Sequence, residues 1–513
     1  MNHQAIAAEQ KPGSTRGDIL SGITVALALV PEAVAFAIIA KVDPIVGLYA
    51  AFIIAIITSL IGGRPGMISG ATGAIAVVTT ALVVAHGVQY LFAAVVLMGL
   101  LQLLFGVFKF GKFIRLVPHP VMLGFVNGLA IIIGLAQLDA FKIGPSEARV
   151  WMEGSQMYVM LGLVAFTMLI IQFFPKITKK VPAALVGILA TTGVVVAATA
   201  FLGDFGGVTF IPEFDSALPS LAVPAVPMTF ETLKIIFPFA AIMASVGLIE
   251  SLMTLTLIDE MTDTRGRGNK ECVGQGVANV VTGFFGGMGG CAMIGQSVIN
   301  IKSGGRGRLS GVTAGVFLLA MILFLGPVIS MVPMAALTAV MFTVVIGTFA
   351  WATLRMLNKV PLSDAFVIVL VSAVTVMEDL AIAVLVGVLV SALVFAWKKS
   401  QAISVSTSES SGIKTYKVDG PLFFGSVTNF NELFSPSSDP KIVHIDFMNS
   451  RVYDHSAIQA INRLAEKYEG LGREIHFKHL SKDCSQLISK AGHLVDVNIM
   501  EDPDYHVAED ELA

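Results

Sequence analysis

Residues 18–398 form an almost unbroken apolar stretch, cut only by Gly, Pro and short charged loops. A helix crosses the hydrocarbon of a bilayer with about 20 apolar residues. On that length the stretch divides into fourteen segments: 19–40, 44–61, 69–86, 91–108, 119–138, 156–174, 182–202, 233–258, 271–287, 291–301, 309–326, 331–347, 364–377 and 380–398. The chain is 55% hydrophobic and 13% charged, which suits lipid rather than water as solvent. The expected class is an α-helical polytopic membrane protein, with the lipid bilayer as its first partner.

Lys and Arg are sorted between alternate loops. With the N-terminus in the cytoplasm, the even-numbered loops hold Arg64; Lys109, Lys112, Arg115; Lys176, Lys179, Lys180; Arg265, Arg267, Lys270; Lys302, Arg306, Arg308; and Arg355, Lys359. The opposite loops hold Lys41, Lys142 and Arg149. Fifteen against three is the bias of a cytoplasmic face, so both termini are expected in the cytoplasm and the protein in the inner (cytoplasmic) membrane. The first 18 residues are polar, without an apolar h-region, so no cleavable signal is expected.

Several function classes drop out. No basic stripe suggests nucleic acid. Cys272, Cys291 and Cys484 are far apart, and no His pairs with Cys or a carboxylate at ligand spacing. Neither a disulfide framework nor a metal or cofactor site is expected. With no nucleophile–base pair and no nucleotide loop, the chain does not read as an enzyme.

Two segments break the pattern. The third starts in Gly62-Gly63-Arg64-Pro65-Gly66-Met67-Ile68-Ser69-Gly70, and the tenth in Gly286-Gly287-Met288-Gly289-Gly290. Gly at this density weakens a helix. The breaks occupy matching places in two halves, repeat one at 18–202 and repeat two at 231–398, divided by the loop at 203–232. Each half has seven segments, so the second must be inserted upside down. A 7+7 inverted repeat with interrupted helices is the signature of a secondary transporter, and the interruptions mark the substrate site.

Two half-helices meeting at mid-membrane aim unpaired N–H groups and the positive ends of their dipoles at one spot, so an anion is the natural ligand. Gly70, Ala71 and Thr72 open one half-helix, with Gly73 next; Cys291 to Gln296, including Met293, Ile294 and Gly295, open the other. Thr72 and Gln296 can add side-chain donors. Glu32 and Glu250 are the acidic groups near the middle of a segment, and such residues are functional candidates by default. Pro31 is expected to unwind the first segment beside Glu32. Phe36 follows one turn later and can wall the pocket. Glu250 shares a helix face with Thr254. A carboxylate beside an anion site repels the substrate unless it is protonated or cation-bound. A proton, or Na⁺, is therefore expected to enter with the anion, with Glu32 and Glu250 as the coupling groups. Asn127, Gln275 and Asn279 read as hydrogen-bonding glue between helices.

After about residue 399 the character changes. Residues 399–412 read as a Ser-rich linker. Alternating patterns follow: strands at Lys414–Val418, Lys441–Phe447 and Glu474–His479, and helices near 427–434, 456–469 and 483–491. This is a small α/β domain spanning 413–513. Residues 1–17 form an N-terminal cytosolic segment.

Local sequence carries a resemblance. Gly17-Asp18-Ile19-Leu20-Ser21-Gly22-Ile23-Thr24-Val25 with Val30-Pro31-Glu32-Ala33-Val34-Ala35-Phe36-Ala37, then Val46-Gly47-Leu48-Tyr49-Ala50-Ala51-Phe52, and Asn269-Lys270-Glu271-Cys272-Val273-Gly274-Gln275-Gly276-Val277-Ala278-Asn279 resemble the sulfate permease (SulP) family, the bacterial relatives of solute carrier family 26. The resemblance implies a core domain of segments 1–4 and 8–11 that carries substrate past a gate domain of segments 5–7 and 12–14. It implies a homodimer and a substrate such as sulfate, bicarbonate, chloride or a dicarboxylate. It identifies the tail as a cytosolic STAS domain, the type shared with anti-sigma-factor antagonists, whose own cytosolic partner the sequence does not name.

The membrane part departs from that family in three places, and the tail in a fourth. Gly70-Ala71-Thr72-Gly73 stands where the family often has Gly-Pro-Thr-Ala. Gln296 stands where many relatives carry Arg, which argues against a simple chloride or oxalate exchanger. Sodium-driven bicarbonate relatives carry Asp where Glu250 stands, with a Thr at the place of Thr254. In the tail, Asp454-His455-Ser456 lacks a Ser directly after the Asp, so helix capping is expected there rather than a phosphorylation switch. The leading expectation is a proton-coupled symporter of sulfate, bicarbonate or a dicarboxylate such as fumarate, working by elevator-like alternating access. A Na⁺-coupled bicarbonate transporter, an uncoupled anion exchanger and an anion sensor signalling through the STAS domain are the alternatives.

Overall fold

The computed structural model describes residues 14–480 apart from 113–116, 145–149, 179–180, 204–206, 215–216, 358, 378–379 and 411. Arg115, Arg149, Lys179, Lys180, Cys484 and the helix expected near 483–491 lie outside the described residues. The chain divides at Val388 and Leu389 into two compact units.

The first unit is built on helices α1 (Thr15–Ile39), α2 (Pro44–Ile61), α3 (Gly73–His86), α4 (Val88–Val107), α5 (His119–Ala136), α6 (Ser155–Phe173), α7 (Ala183–Leu202), α8 (Phe230–Thr262), α9 (Gly268–Phe284), α10 (Ile294–Lys302), α11 (Arg308–Ser330), α12 (Met334–Thr348), α13 (Ala352–Met356) and α14 (Leu362–Met377), with α15 (Leu380–Ser400) running across the boundary. Two-residue strands β1 (Ser69–Gly70), β2 (Lys142–Ile143), β3 (Val150–Trp151) and β4 (Cys291–Ala292) sit between them. Ten helices among the described residues are long and apolar enough to cross a membrane. The shorter α3, α9, α10 and α14 fill the remaining segment positions, and α13 continues the segment begun by α12.

Local chemistry sets several boundaries. Ser14 caps α1 by accepting from the Gly17 N–H at 2.9 Å. Pro44 opens α2, where its missing N–H costs nothing. The carbonyls at the end of α2 are taken up by Arg308, whose guanidinium donates to Ser59 O at 2.7 Å and Gly62 O at 2.8 Å. One group of helices packs together as α1, α2, α4, α8, α9 and α11, with α3 on α8 and α10 on α1; a second group joins α5, α6, α7, α12 and α14. These groups correspond to segments 1–4 and 8–11 of the expected core and to segments 5–7, 12 and 13 of the expected gate. They meet where α1 touches α12 and α3 touches α5.

Two local expectations fail. Pro31 does not unwind the first segment: α1 runs through it from Thr15 to Ile39. Neighbouring helices can absorb the lost backbone bond of a proline in a membrane helix. The third and tenth segments do not begin as helix at 69 and 291. Their first residues are the extended strands β1 and β4, and helix starts only at Gly73 and Ile294.

The second unit carries a four-stranded sheet, β5 (Ser404–Ser410), β6 (Ile413–Leu422), β7 (Ile442–Val452) and β8 (Glu474–Lys478), in that order. β5 pairs antiparallel with β6; β6, β7 and β8 are parallel. Helices α16 (Val427–Glu432) and α17 (His455–Glu469) make the crossovers. Half of the linker expected at 399–412 is therefore strand. Its Ser-rich sequence hides this because β5 is an edge strand held by backbone bonds, with Val405 alone of its side chains packed on the core. Gly412, at φ +77°, supplies the left-handed turn into β6. Asp454 caps α17 as expected, accepting from the Ala457 N–H at 2.9 Å.

Beneath the sheet, buried Asp439 accepts from Lys414 Nζ at 2.6 Å, from the Tyr416 hydroxyl at 2.8 Å and from the Tyr468 hydroxyl. Burial works to raise its carboxyl. The hydrogen bonds from Lys414, Tyr468 and Tyr416 and the Lys414 charge outweigh it, holding Asp439 below the usual carboxylate range.

Candidate functional site

The two Gly-rich breaks meet. β1 and β4 pair antiparallel, Ser69 opposite Ala292 and Gly70 opposite Cys291, and the Met293 N–H donates to Ile68 O at 2.9 Å. A Cβ on Gly290 would fall on the Gly70 carbonyl oxygen, so only glycine lets the chains come this close.

Side chains of α9 lock the crossing in place. Asn279 Oδ1 accepts the Gly290 N–H at 2.9 Å, while its Nδ2 donates to Gly290 O at 3.0 Å and Gln102 Oε1 at 2.9 Å. Gln275 Nε2 donates to Ser69 Oγ and Glu271 Oε1, both at 2.8 Å. Glu271 Oε2 accepts the Gly63 N–H at 2.7 Å, and Asn269 Oδ1 accepts the Gly111 N–H at 3.0 Å. Asn269, Glu271, Gln275 and Asn279 of the pattern that resembles the family thus each have a bond in the scaffold. Asn127, the other residue read as glue, accepts from the Ala350 N–H at 2.8 Å and so ties α5 to the end of α12.

Just beyond the crossing, Thr72 precedes α3 and Met293 precedes α10 as N-caps, and neither side chain caps its helix. The first-turn N–H groups of both helices therefore have no capping side chain, which is the arrangement an anion completes. A cavity of about 470 Å³ lies here. The core side contributes Glu32 and Phe36 from α1, Thr72, Gly73 and Ala74 from the start of α3, Glu250 and Met253 from α8, and Met293, Ile294, Gly295 and Gln296 from the start of α10. The gate side contributes Phe125, Leu129 and Ile133 from α5 and Val344, Gly347 and Thr348 from α12. Nothing lies within 4 Å of the position a Gly295 Cβ would take, so the backbone of α10 faces open space there.

Eight of the eleven residues expected to form the site line this cavity: Glu32, Phe36, Thr72, Glu250, Met293, Ile294, Gly295 and Gln296. Gly70, in the strand crossing, and Ala71, just after it, are buried and do not line it. Thr254 is also buried and away from it. Its hydroxyl donates to the Glu250 backbone oxygen at 2.8 Å, a bond within α8. Of the two carboxyls, Glu250 has a polar partner: Cys291 Sγ donates to its Oε2 at 3.0 Å. No Lys or Arg is among the residues lining the cavity.

Sequence reasoning missed Met253 and the gate wall. Met253 sits one turn from Glu250, and that spacing was the available signal. Phe125, Leu129, Ile133 and Val344 look like any other apolar residue of a membrane helix.

The family model of the sulfate permease family matches residues 15–371, and that of the STAS domain matches residues 404–504. The chain is 48% identical to YbaR of Bacillus subtilis (strain 168), over 96% of this chain and 100% of the relative. The transmembrane domain of a cyanobacterium bicarbonate transporter, BicA, superposes with a TM-score of 0.63 at 32% identity, covering 72% of this chain and 97% of that one. The murine solute carrier 26 member A9 anion transporter superposes with a TM-score of 0.78, covering 95% and 89%; at 17% identity it shows the shared fold.

Proposed function

The chain belongs to the sulfate permease family, and from that premise we propose that it moves a small anion across the membrane by proton-coupled symport. It is a multi-pass anion transporter of that family, with a STAS domain after its membrane part. Sulfate, bicarbonate and a dicarboxylate such as fumarate are the candidate substrates.

The observation that carries the coupling is the charge of the cavity wall. Two uncapped helix N-termini favour an anion, while Glu32 and Glu250 disfavour it and no cationic side chain of the wall compensates. Taking a carboxylate out of water penalises its charged form. Protonation of either group lessens the repulsion, so anion and proton enter together. The loaded core then crosses past the gate wall formed by α5 and α12, in an elevator-like step. Na⁺ coupling finds less support, because the Thr254 hydroxyl is committed to its own helix backbone and lies outside the cavity. The positive-inside count supports an inner-membrane location with both termini cytoplasmic. A homodimer is the expected assembly.

Glu32→Gln and Glu250→Gln test the assignment. The proposal expects uptake by at least one variant to lose its response to an imposed proton gradient. Full-rate uptake with an unchanged pH profile in both would remove these groups from the coupling.

A further inference from the structure

The thiol of Cys291 stands between the Glu250 carboxyl and the Thr72 hydroxyl. Its Sγ lies 3.0 Å from Glu250 Oε2 and 3.3 Å from Thr72 Oγ1, and it is fully buried. The three groups come from three places in the chain: α8, the last residues before α3, and β4. Thr72 and Glu250 line the cavity, and Cys291 does not.

A thiol has a single proton, which fixes the direction of the chain of bonds. With S–H donated to the carboxylate, the sulfur can only accept from Thr72, so the Thr72 O–H points at Cys291. When Glu250 takes up a proton its O–H becomes the donor to Sγ. The S–H then turns to Thr72 Oγ1, and the Thr72 O–H is released toward the cavity. Cys291 stays a neutral thiol throughout, and the only proton gained is the one on Glu250.

We propose that Cys291 is a positioning residue that relays the protonation state of Glu250 to Thr72, so that a donor faces the anion only after the proton has arrived. This rests on the symport reading and deepens it. Proton and anion become coupled by hydrogen-bond direction as well as by charge.

The ionisable groups around Glu250 are few. β4 brings Cys291, and Glu32 faces it across the cavity. Of the helices packed on α8, α3 and α10 carry only His86 and Lys302, both in their last turns, and α4 carries only Tyr90 near its start. α9 carries Lys270, Glu271 and Cys272 in its first turns, and the Glu271 carboxyl is taken by Gly63 and Gln275.

The S–H stretch, isolated as the infrared difference between the full-length protein and its Cys291→Ala variant, reads the relay directly. On acidification the band should move as the S–H exchanges a carboxylate acceptor for a hydroxyl. Glu250→Gln should hold it at the acid position at every pH, because the amide donates to sulfur as the protonated acid does. A band that Glu250→Gln leaves at the wild-type alkaline position overturns the relay. A band moved by Glu250→Gln but untouched by pH upholds the contact and removes Glu250 as the proton site, so failure of the symport reading is told apart.

Sulfate binding at acid and alkaline pH gives the second readout, since sulfate keeps its double charge through that range. Cys291→Ala frees Thr72 at all pH and should shrink the acid-over-alkaline affinity ratio by about tenfold, the worth of one hydrogen bond to a charged group. Cys291→Ser, which keeps one proton and one acceptor, should restore the ratio. Thr72→Val should weaken binding only on the acid side and cancel the effect of Cys291→Ala. Equal losses at both pH values would reduce Cys291 to packing and overturn the proposal.

Discussion

Gly295 offers the cleanest separation of site from scaffold. It is the second residue of α10 and lines the cavity, and a Cβ built on it meets nothing within 4 Å. Gly295→Ala therefore introduces no clash. It removes backbone freedom from the unfolded chain, a gain of about 0.4–1 kcal/mol where the native geometry is compatible. Gly295→Leu carries the same backbone benefit but extends into the space between Glu32, Thr72 and Gln296. An anion held there would be pushed off its donors, and a hydrogen bond to a charged group is worth about 1.5–3 kcal/mol. That corresponds to a loss of about 10- to 100-fold in affinity. The expected pattern is opposed: thermal stability unchanged or raised, with sulfate, bicarbonate or fumarate uptake lowered and the apparent KM increased in the larger variant. Detergent-solubilised protein gives the melting curve, and proteoliposomes give the uptake. A folded Gly295→Leu protein that transports with unaltered KM would show that the substrate does not sit at the start of α10.

Further expectations follow from other places in the molecule. Gly290→Ala should behave oppositely to Gly295→Ala: its Cβ would fall on the Gly70 carbonyl oxygen, so both melting temperature and anion binding should drop, and an unchanged melting curve would contradict the close crossing. Asn279→Ala removes the side chain that bonds both backbone groups of Gly290 and should cost about 2–4 kcal/mol, read as a lowered melting temperature. In the tail, Asp439→Asn should cost about 2–3 kcal/mol at neutral pH, read by hydrogen exchange of β6 to β8 in the full chain. The pH dependence has a definite sign. Because Asp439 is held below its unfolded value, its contribution is complete above about pH 4 and is lost as pH falls through the folded value. Wild-type tail should therefore lose protection in acid, and Asp439→Asn should lose less.

The membrane architecture was legible because lipid imposes a strict rule. Apolar runs of fixed length and sorted charge leave little freedom, so fourteen segments and the meeting of two Gly-rich breaks follow from the residues themselves. The site was legible in its polar part for the same reason. Glu32, Glu250, Thr72 and Gln296 stand out against an apolar background, and the structure brings all four to one cavity. What the sequence concealed depends on geometry. Thr254 has the right spacing to join Glu250, yet its hydroxyl turns back onto the helix. Pro31 has the chemistry of a breaker, yet α1 continues through it. β5 is held through its backbone while its side chains read as linker. The gate wall is made of residues whose type carries no information about which way they face.

The most direct test of the account is proton movement accompanying the anion. Purified protein in liposomes, with a pH indicator inside and no sodium on either side, is offered sulfate, bicarbonate or fumarate from outside. For the transported anion, internal acidification should track its uptake, and Glu32→Gln or Glu250→Gln should uncouple the two. Uptake that leaves the internal pH unchanged and appears only when sodium is supplied would contradict the proton-coupled reading.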